Sequence, residues 1–199
     1  MASKEPLEKS REKPDEQEVQ RLVAACQSGD VEAFGPLYDM YIDQIYRYVF
    51  YRVDNEEAED IVENIFVRVW EKIDKYVPGQ HPFSSWMFRI AHNMVVDHYR
   101  RHRKHVSLRE RLPKHVNQSS DDPVDFAQSK LTQGYVREAL SELKDDYQQV
   151  LILKYLSGFD NNEIAQIMGK KPGNVRILQY RALKSLRQVM ETRGINSNT

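Results

Sequence analysis

Cysteine is almost absent from this chain: Cys26 is the single one in 199 residues, so no intramolecular disulfide framework is possible and a reducing compartment fits. It lies inside an apolar helical pattern, the setting of a buried, inert thiol. Glycine and proline are scarce, at eight each, while Leu, Ile, Val, Glu, Lys and Arg are abundant and the apolar spacing is helical almost throughout. That combination predicts an all-α protein. No apolar run approaches the roughly 20 residues that span a bilayer. The opening MASKEPLEKSREKPDEQE lacks the apolar centre of a signal peptide. A soluble, cytoplasmic chain without direct membrane insertion is expected. Also missing are a glycine-rich phosphate loop, a nucleophile elbow and a carboxylate pair in an apolar pocket. An enzyme with a small-molecule substrate or a cofactor is therefore not the expectation.

What is present is charge, and it is segregated. The formal net charge of -1 hides an acidic segment, Asp54 to Glu63, with six acidic residues and no Lys or Arg. Arg89 to Lys104 carries five Lys or Arg against Asp97 alone, and Lys170 to Arg193 carries seven against Glu191. Two basic segments suit polyanions, and one acidic segment suits a basic protein partner.

Residues 1–15 are charged and hold two prolines, the composition of a disordered arm. Helical patterning starts near Glu16, breaks at Ser28 to Asp30, resumes through Val53, and reopens at the acidic cluster, whose negative charge suits a helix N-terminus. That helix is expected to run to about Asp74. KYVPGQHP, from Lys75, reads as a loop. From about 105 to 133 the periodicity fades into Pro, Ser, Asn and Asp, a linker composition. A second helical region follows over about 134–192, then a tail, 193–199. Two small helical domains joined by a linker is the expected architecture.

Two stretches carry the functional signal. FSSWMFRIAHNMVVDHYRRHRK, from Phe83, places Phe83, Trp86, Met87, Ile90, Ala91, Met94 and Val95 on one helical face. Arg89, Asn93 and Arg100 fall along one edge of it. In NNEIAQIMGKKPGNVRILQYRALKSLR, Asn161 or its neighbour caps a short helix that Met168 and Gly169 end. A second helix starts at Pro172 or Gly173 and buries Val175, Leu178, Ala182 and Leu186. This is a helix-turn-helix, with Lys171, Asn174, Arg176, Tyr180, Arg181 and Lys184 left for a major groove.

AEDIVENIFVRVWEKIDKY, FSSWMFRIAHNMVVDHYRR and LSELKDDYQQVLILKYLSGFDNNEIAQIMGKKPGNVRILQYRALKSLR, in that order, resemble the two domains of bacterial RNA polymerase sigma factors of the extracytoplasmic-function (ECF) group. The resemblance spans roughly Glu18 to Arg187. It implies a transcription initiation factor that binds core RNA polymerase, directs it to promoter DNA and helps melt the minus 10 element. Residues 16–104 correspond to a region 2-like domain, and 134–192 to a region 4-like domain. Glu59, Asp60 and Glu63 are implied as core-polymerase contacts. Tyr76, Arg89, Asn93, Arg100, Arg101, Arg103 and Lys104 are implied at the minus 10 element, with Asn93 and the loop Tyr76 to Pro82 capturing an extruded base. Lys171, Asn174, Arg176, Ile177, Tyr180, Arg181 and Lys184 are assigned to the minus 35 element. An anti-sigma factor is an implied partner. The chain departs from the family's habit at Glu63-Asn64, where Gln-Glu is usual, and at Gln179, where an apolar residue is usual.

Two alternatives come from the residues themselves. His98, His102 and His105 have a spacing that could ligate a metal, but Arg100, Arg101, Arg103 and Lys104 around them disfavour a bound cation, so no metal is expected. The other is a stand-alone helix-turn-helix regulator. Such proteins usually dimerise, and nothing in the chain resembles a dimerisation helix.

Overall fold

A computed structural model describes residues 14–106 and 134–193, and among them there are helices and turns but no strands. The arm before residue 14, the expected linker over 107–133 and the tail after 193 lie outside the described residues. Four helices make the first group: α1 (Glu16–Gln27), α2 (Phe34–Phe50), α3 (Asn55–Lys72) and α4 (Phe83–Val106). The second contains α5 (residues 134–141), α6 (Asp145–Leu151), a π-helical turn (Ile152–Leu156), α7 (Asn161–Met168) and α8 (Pro172–Thr192). The expected helix reaching Asp74 stops at Lys72 and passes into a 3₁₀ turn over Ile73–Lys75.

Local chemistry explains the elements. In α1 the Asp15 side chain accepts from the Gln17 amide at 3.2 Å, and Val19, Leu22, Val23 and Cys26 recur at helical spacing and are buried. Leu37, Tyr41, Ile45 and Tyr48 form the matching stripe of α2, and Ala58, Val62, Ile65 and Val69 that of α3. Cys26 is 4% exposed, and burial pushes its thiol pKa up, the inert state its position implied.

The core does not stop at the first group. Buried residues from Val19 to Ala182 form one continuous hydrophobic cluster. α4 packs directly on α7, and α2 meets the π-helical turn. The second group is therefore docked on the first, through a face of α4 that is separate from the stripe predicted for that helix.

Candidate nucleic-acid interface

α4 carries the first candidate surface. Phe83, Met87, Ala91 and Val95 are fully buried, and Arg89, Asn93, Arg100 and Arg101 are exposed. The stripe and its polar edge thus lie where the periodicity placed them. Arg103 and Lys104 belong to the last turn of the same helix. Aromatic packing makes the N-terminal half of α4 rigid: Phe83 sits 5.5 Å from Trp86 and 5.7 Å from Tyr41, ring centre to ring centre.

Tyr76 has a different place from the one implied by its assignment to DNA. It is 4% exposed, packed edge-on against Phe83 at 5.3 Å and tilted against Trp86 at 5.6 Å. Its hydroxyl donates to the His81 carbonyl at 2.9 Å. An aromatic ring beside two others is better buried than offered to water, so Tyr76 shapes the loop from beneath. Gln27 completes the support by donating to the Ile73 and Tyr76 carbonyls, each at 2.8 Å. Gly79 takes a φ of 82°, the left-handed turn that glycine adopts without strain. The exposed part of the loop is Val77 to His81. Gln27 could not be found by pattern, because its partners are backbone carbonyls 46 and 49 residues away.

The helix-turn-helix is built as its sequence dictates. Asp160, the neighbour of Asn161, is the cap: its carboxylate accepts from the Asn162 and Glu163 amides at 2.8 Å. Glu163 returns to the Asp160 amide at 2.7 Å, completing a capping box. Gly169 ends α7 at a φ of 63°, and Pro172 opens α8 as its first residue. Val175 and Ala182 are fully buried, with Leu178 and Leu186 half-buried behind them. Lys171, Asn174, Arg176, Ile177, Tyr180, Arg181 and Lys184 are all exposed. Gln179 is half-buried and donates to the Asn161 side chain at 2.8 Å, while Arg176 and Tyr180 on the same helix are exposed.

The acidic face lies on α3. Glu59, Asp60 and Glu63 are exposed, whereas Glu57 turns inward to meet the His98 ring at 3.1 Å. Asn64 bonds back to the Asp60 carbonyl at 2.6 Å. Asp60, Asn64, Val67 and Glu71 share one exposed stripe, and Val67 is 56% exposed. Beside them an open groove of about 380 Å³ separates α3 from α4, with Met94, His98 and Arg101 on its far wall. Among the described residues no group of three acidic, His or Cys side chains could hold a metal ion.

Comparison with known proteins decides what this arrangement belongs to. The Sigma-70 region 2 family matches residues 37–105, and Sigma-70, region 4 matches 133–186. The ECF RNA polymerase sigma factor BldN of Streptomyces coelicolor is 34% identical over 179 residues, spanning 88% of this chain and 67% of that protein. The chain belongs to the ECF sigma factors. SigW of Bacillus subtilis is 28% identical, over 85% of this chain and 95% of its own. In fold it is similar to CnrH, solved in complex with the cytosolic domain of CnrY, with a TM-score of 0.65 and 24% identity over 89% of this chain and 99% of that one. A sigma factor is a promoter-specificity subunit of RNA polymerase, and that is the function of this chain.

In this sigma factor the regions 2 and 4 meet across a polar seam that sequence reading missed. Arg52, 3% exposed, donates through Nη1 to the Gln148 side chain at 2.8 Å and the Asp145 carbonyl at 3.1 Å. Gln148 donates onward to the Tyr51 carbonyl at 2.9 Å. The Tyr48 hydroxyl donates to Gln149 Oε1 at 2.9 Å and accepts from its Nε2 at 2.7 Å. Burial pushes the Tyr48 phenol up to about 12, so it stays protonated. Phe88 meets Phe159 edge-on at 4.7 Å. His92 lies in this seam too; burial, with Arg52 nearby, pushes its pKa down to about 4, which keeps it neutral.

Proposed function

We propose that α4 with the loop Val77 to His81 holds the melted minus 10 strand, that α8 reads the minus 35 element, and that the exposed stripe of α3 around Asp60 docks on core polymerase. The observation that carries this reading is the division of each element into a buried stripe and an exposed edge of one chemical character. Asn93 stands exposed on a helix whose N-terminal half is held by aromatic packing. It is a hydrogen-bonding amide on a rigid platform, which is what an extruded base requires, because leaving the stack costs a few kcal/mol. Arg89, Arg100 and Arg101 flank it, with Arg103 and Lys104 on the next turn, and meet the phosphates of the freed strand. Tyr76 acts from beneath, as the residue that shapes the loop. On α8, Arg176 and Arg181 suit guanine edges, and Lys171 and Lys184 suit phosphates. Asn174, Ile177 and Tyr180 complete the exposed reading face.

The domain division follows from the same reading: 16–104 works as region 2 and 134–192 as region 4. The docked arrangement cannot serve both DNA elements together. α4 and α7 are in contact, whereas the minus 10 and minus 35 elements are about 25 base pairs apart, about 85 Å along B-DNA. The seam therefore parts when core polymerase and promoter are engaged. The protein performs no chemistry of its own and works in the cytoplasm; among the described residues no helix is long and apolar enough to cross a membrane. An inhibitory protein partner also fits, since the sigma factor RpoE was solved in complex with the anti-sigma factor NepR from Bartonella quintana.

Co-purification with core polymerase separates this function from a free-standing helix-turn-helix regulator. The site is tested by Asn93→Ala. Holoenzyme carrying it should find the upstream element yet show fewer permanganate-reactive thymines on duplex promoter, with the deficit shrinking on a template mismatched across the minus 10 region. Normal opening of the matched duplex would return Asn93 to a merely solvated position.

A further inference from the structure

The face that α8 turns to the core is mixed: Val175 and Ala182 are fully buried, while Leu178, Leu186 and Val189 pack against the core half-buried. That packing holds the helix in place, and its rotation is set more finely by what ties the border of the buried face. Rotation matters here. A turn of about 20° moves groups some 5–6 Å from the axis by about 2 Å, whereas a good hydrogen bond tolerates about 0.5 Å. Arg176, Tyr180 and Arg181 would lose register with the bases before the helix lost its packing.

Gln179 sits at the border between that buried face and the reading face. Its Nε2 donates to Asn161 Oδ1 at 2.8 Å, with both residues half-buried. Asn161 is the first residue of α7 and follows directly on Asp160, which closes the capping box with Glu163. Its backbone thus lies inside the capped first turn of α7. α7 and α8 are already joined at the turn through Gly169, so a tie from the start of α7 to the middle of α8 closes a triangle. The far end of α8 is held separately by Arg193, which pairs with Glu138 and Glu142; that end lies more than three turns beyond Arg176. An apolar side chain at 179, the family's habit, would leave the Asn161 amide without this partner.

We propose that the Gln179–Asn161 pair is a positioning device for promoter specificity: it sets the rotation of α8 and so determines which upstream bases Arg176 and Arg181 can read. The proposal rests on α8 reading the minus 35 element, and its test separates the two. Holoenzyme is reconstituted with wild type, Arg176→Ala, Gln179→Leu, Asn161→Ala, and the swapped double variant Asn161→Gln with Gln179→Asn, which keeps the combined side-chain length. Relative occupancy is measured on promoters carrying every single-base change in the upstream element, and Tm is measured for each free protein.

The expected result is that Gln179→Leu and Asn161→Ala flatten the base preference about fivefold at the same positions. Their Tm stays within about 2 °C of wild type, and the swapped pair recovers the wild-type profile. If Arg176→Ala alters the profile while Gln179→Leu leaves it unchanged, α8 reads DNA and the pair is idle. If preference falls only in step with Tm and the swap does not recover it, the pair is structural and the positioning role is overturned. If Arg176→Ala leaves the profile unchanged, the reading by α8 is wrong and the proposal falls with it.

Discussion

Replacing Gln148 by leucine should release the second helical group from the first. The Arg52 guanidinium is almost fully buried and depends on two acceptors, the Gln148 side chain at 2.8 Å and the Asp145 carbonyl at 3.1 Å, with the Tyr99 ring 5.2 Å away. Its Nε already has no hydrogen-bond partner among the described residues. Leucine is close in volume to glutamine, so packing survives, but a charged donor loses its side-chain acceptor and the Tyr51 carbonyl loses its donor. A hydrogen bond to a charged group is worth about 1.5–3 kcal/mol, and a stranded carbonyl adds about 1 kcal/mol. A loss of about 2–4 kcal/mol lowers the docking equilibrium about 30-fold or more. Small-angle scattering of the free protein should then show a radius of gyration several ångströms larger. The double variant Arg52→Leu with Gln148→Leu should dock again, because a buried pair replaced by apolar groups on both sides leaves no uncompensated charge. Unchanged scattering and unchanged melting in Gln148→Leu would refute the seam as what holds the two groups together. Expansion in the double variant equal to that in the single would refute the stranded charge as the cause.

Three other outcomes can be checked directly. Asp60→Arg places a cation on an exposed acidic face, so it should weaken co-purification with core polymerase while leaving Tm unchanged; a lower Tm with normal core binding would make Asp60 structural. Stability should fall with acid because His92 is neutral and half-buried in the fold, with Arg52 and Lys170 opposing its charge and Asp146 and Gln149 favouring it. Its folded pKa of about 4 lies below the ordinary 6.5, so the unfolded or undocked chain takes the proton first. The contribution is fully present above about pH 6.5 and is lost as pH falls toward 4, by about 3 kcal/mol. Urea midpoints measured from pH 7 to 4 should show this slope in wild type and a flatter one in His92→Leu; equal slopes would assign the acid sensitivity elsewhere. Arg181→Ala should reduce recruitment to promoters that depend on the upstream element by about 1–3 kcal/mol, with opening of a pre-melted template nearly unaffected.

Much of the architecture could be read along the chain because it depends on neighbours in sequence. The stripe Phe83, Met87, Ile90, Ala91, Val95 follows from helical spacing, and so does the exposure of Arg89, Asn93 and Arg100 on its edge. The turn at Gly169 and the start of α8 at Pro172 follow from backbone chemistry that each residue carries with it. The exposed face of α8 follows from the same periodicity, and the resemblance of three ordered motifs supplied the family to which comparison assigns the chain.

What the periodicity left open has one cause. Periodicity assigns a residue to a face but does not say how many faces of a helix are covered. Phe88 and His92 of α4 lie off the predicted stripe, and what they meet there is Phe159 and Gln149, more than 50 positions along the chain. Tyr76 sits in a segment whose Pro and Gly content marks a loop, yet its ring is buried because Phe83 and Trp86 fold back against it. The sequence by itself determined the helices, their apolar stripes, the charged edges and the family. Only the tertiary structure decided that Arg52, Gln148 and Gln149 form a seam, that Gln179 faces Asn161, and that the loop is held by Gln27. Hydrogen bonds between side chains distant in sequence have no period, and no local propensity encodes their partners.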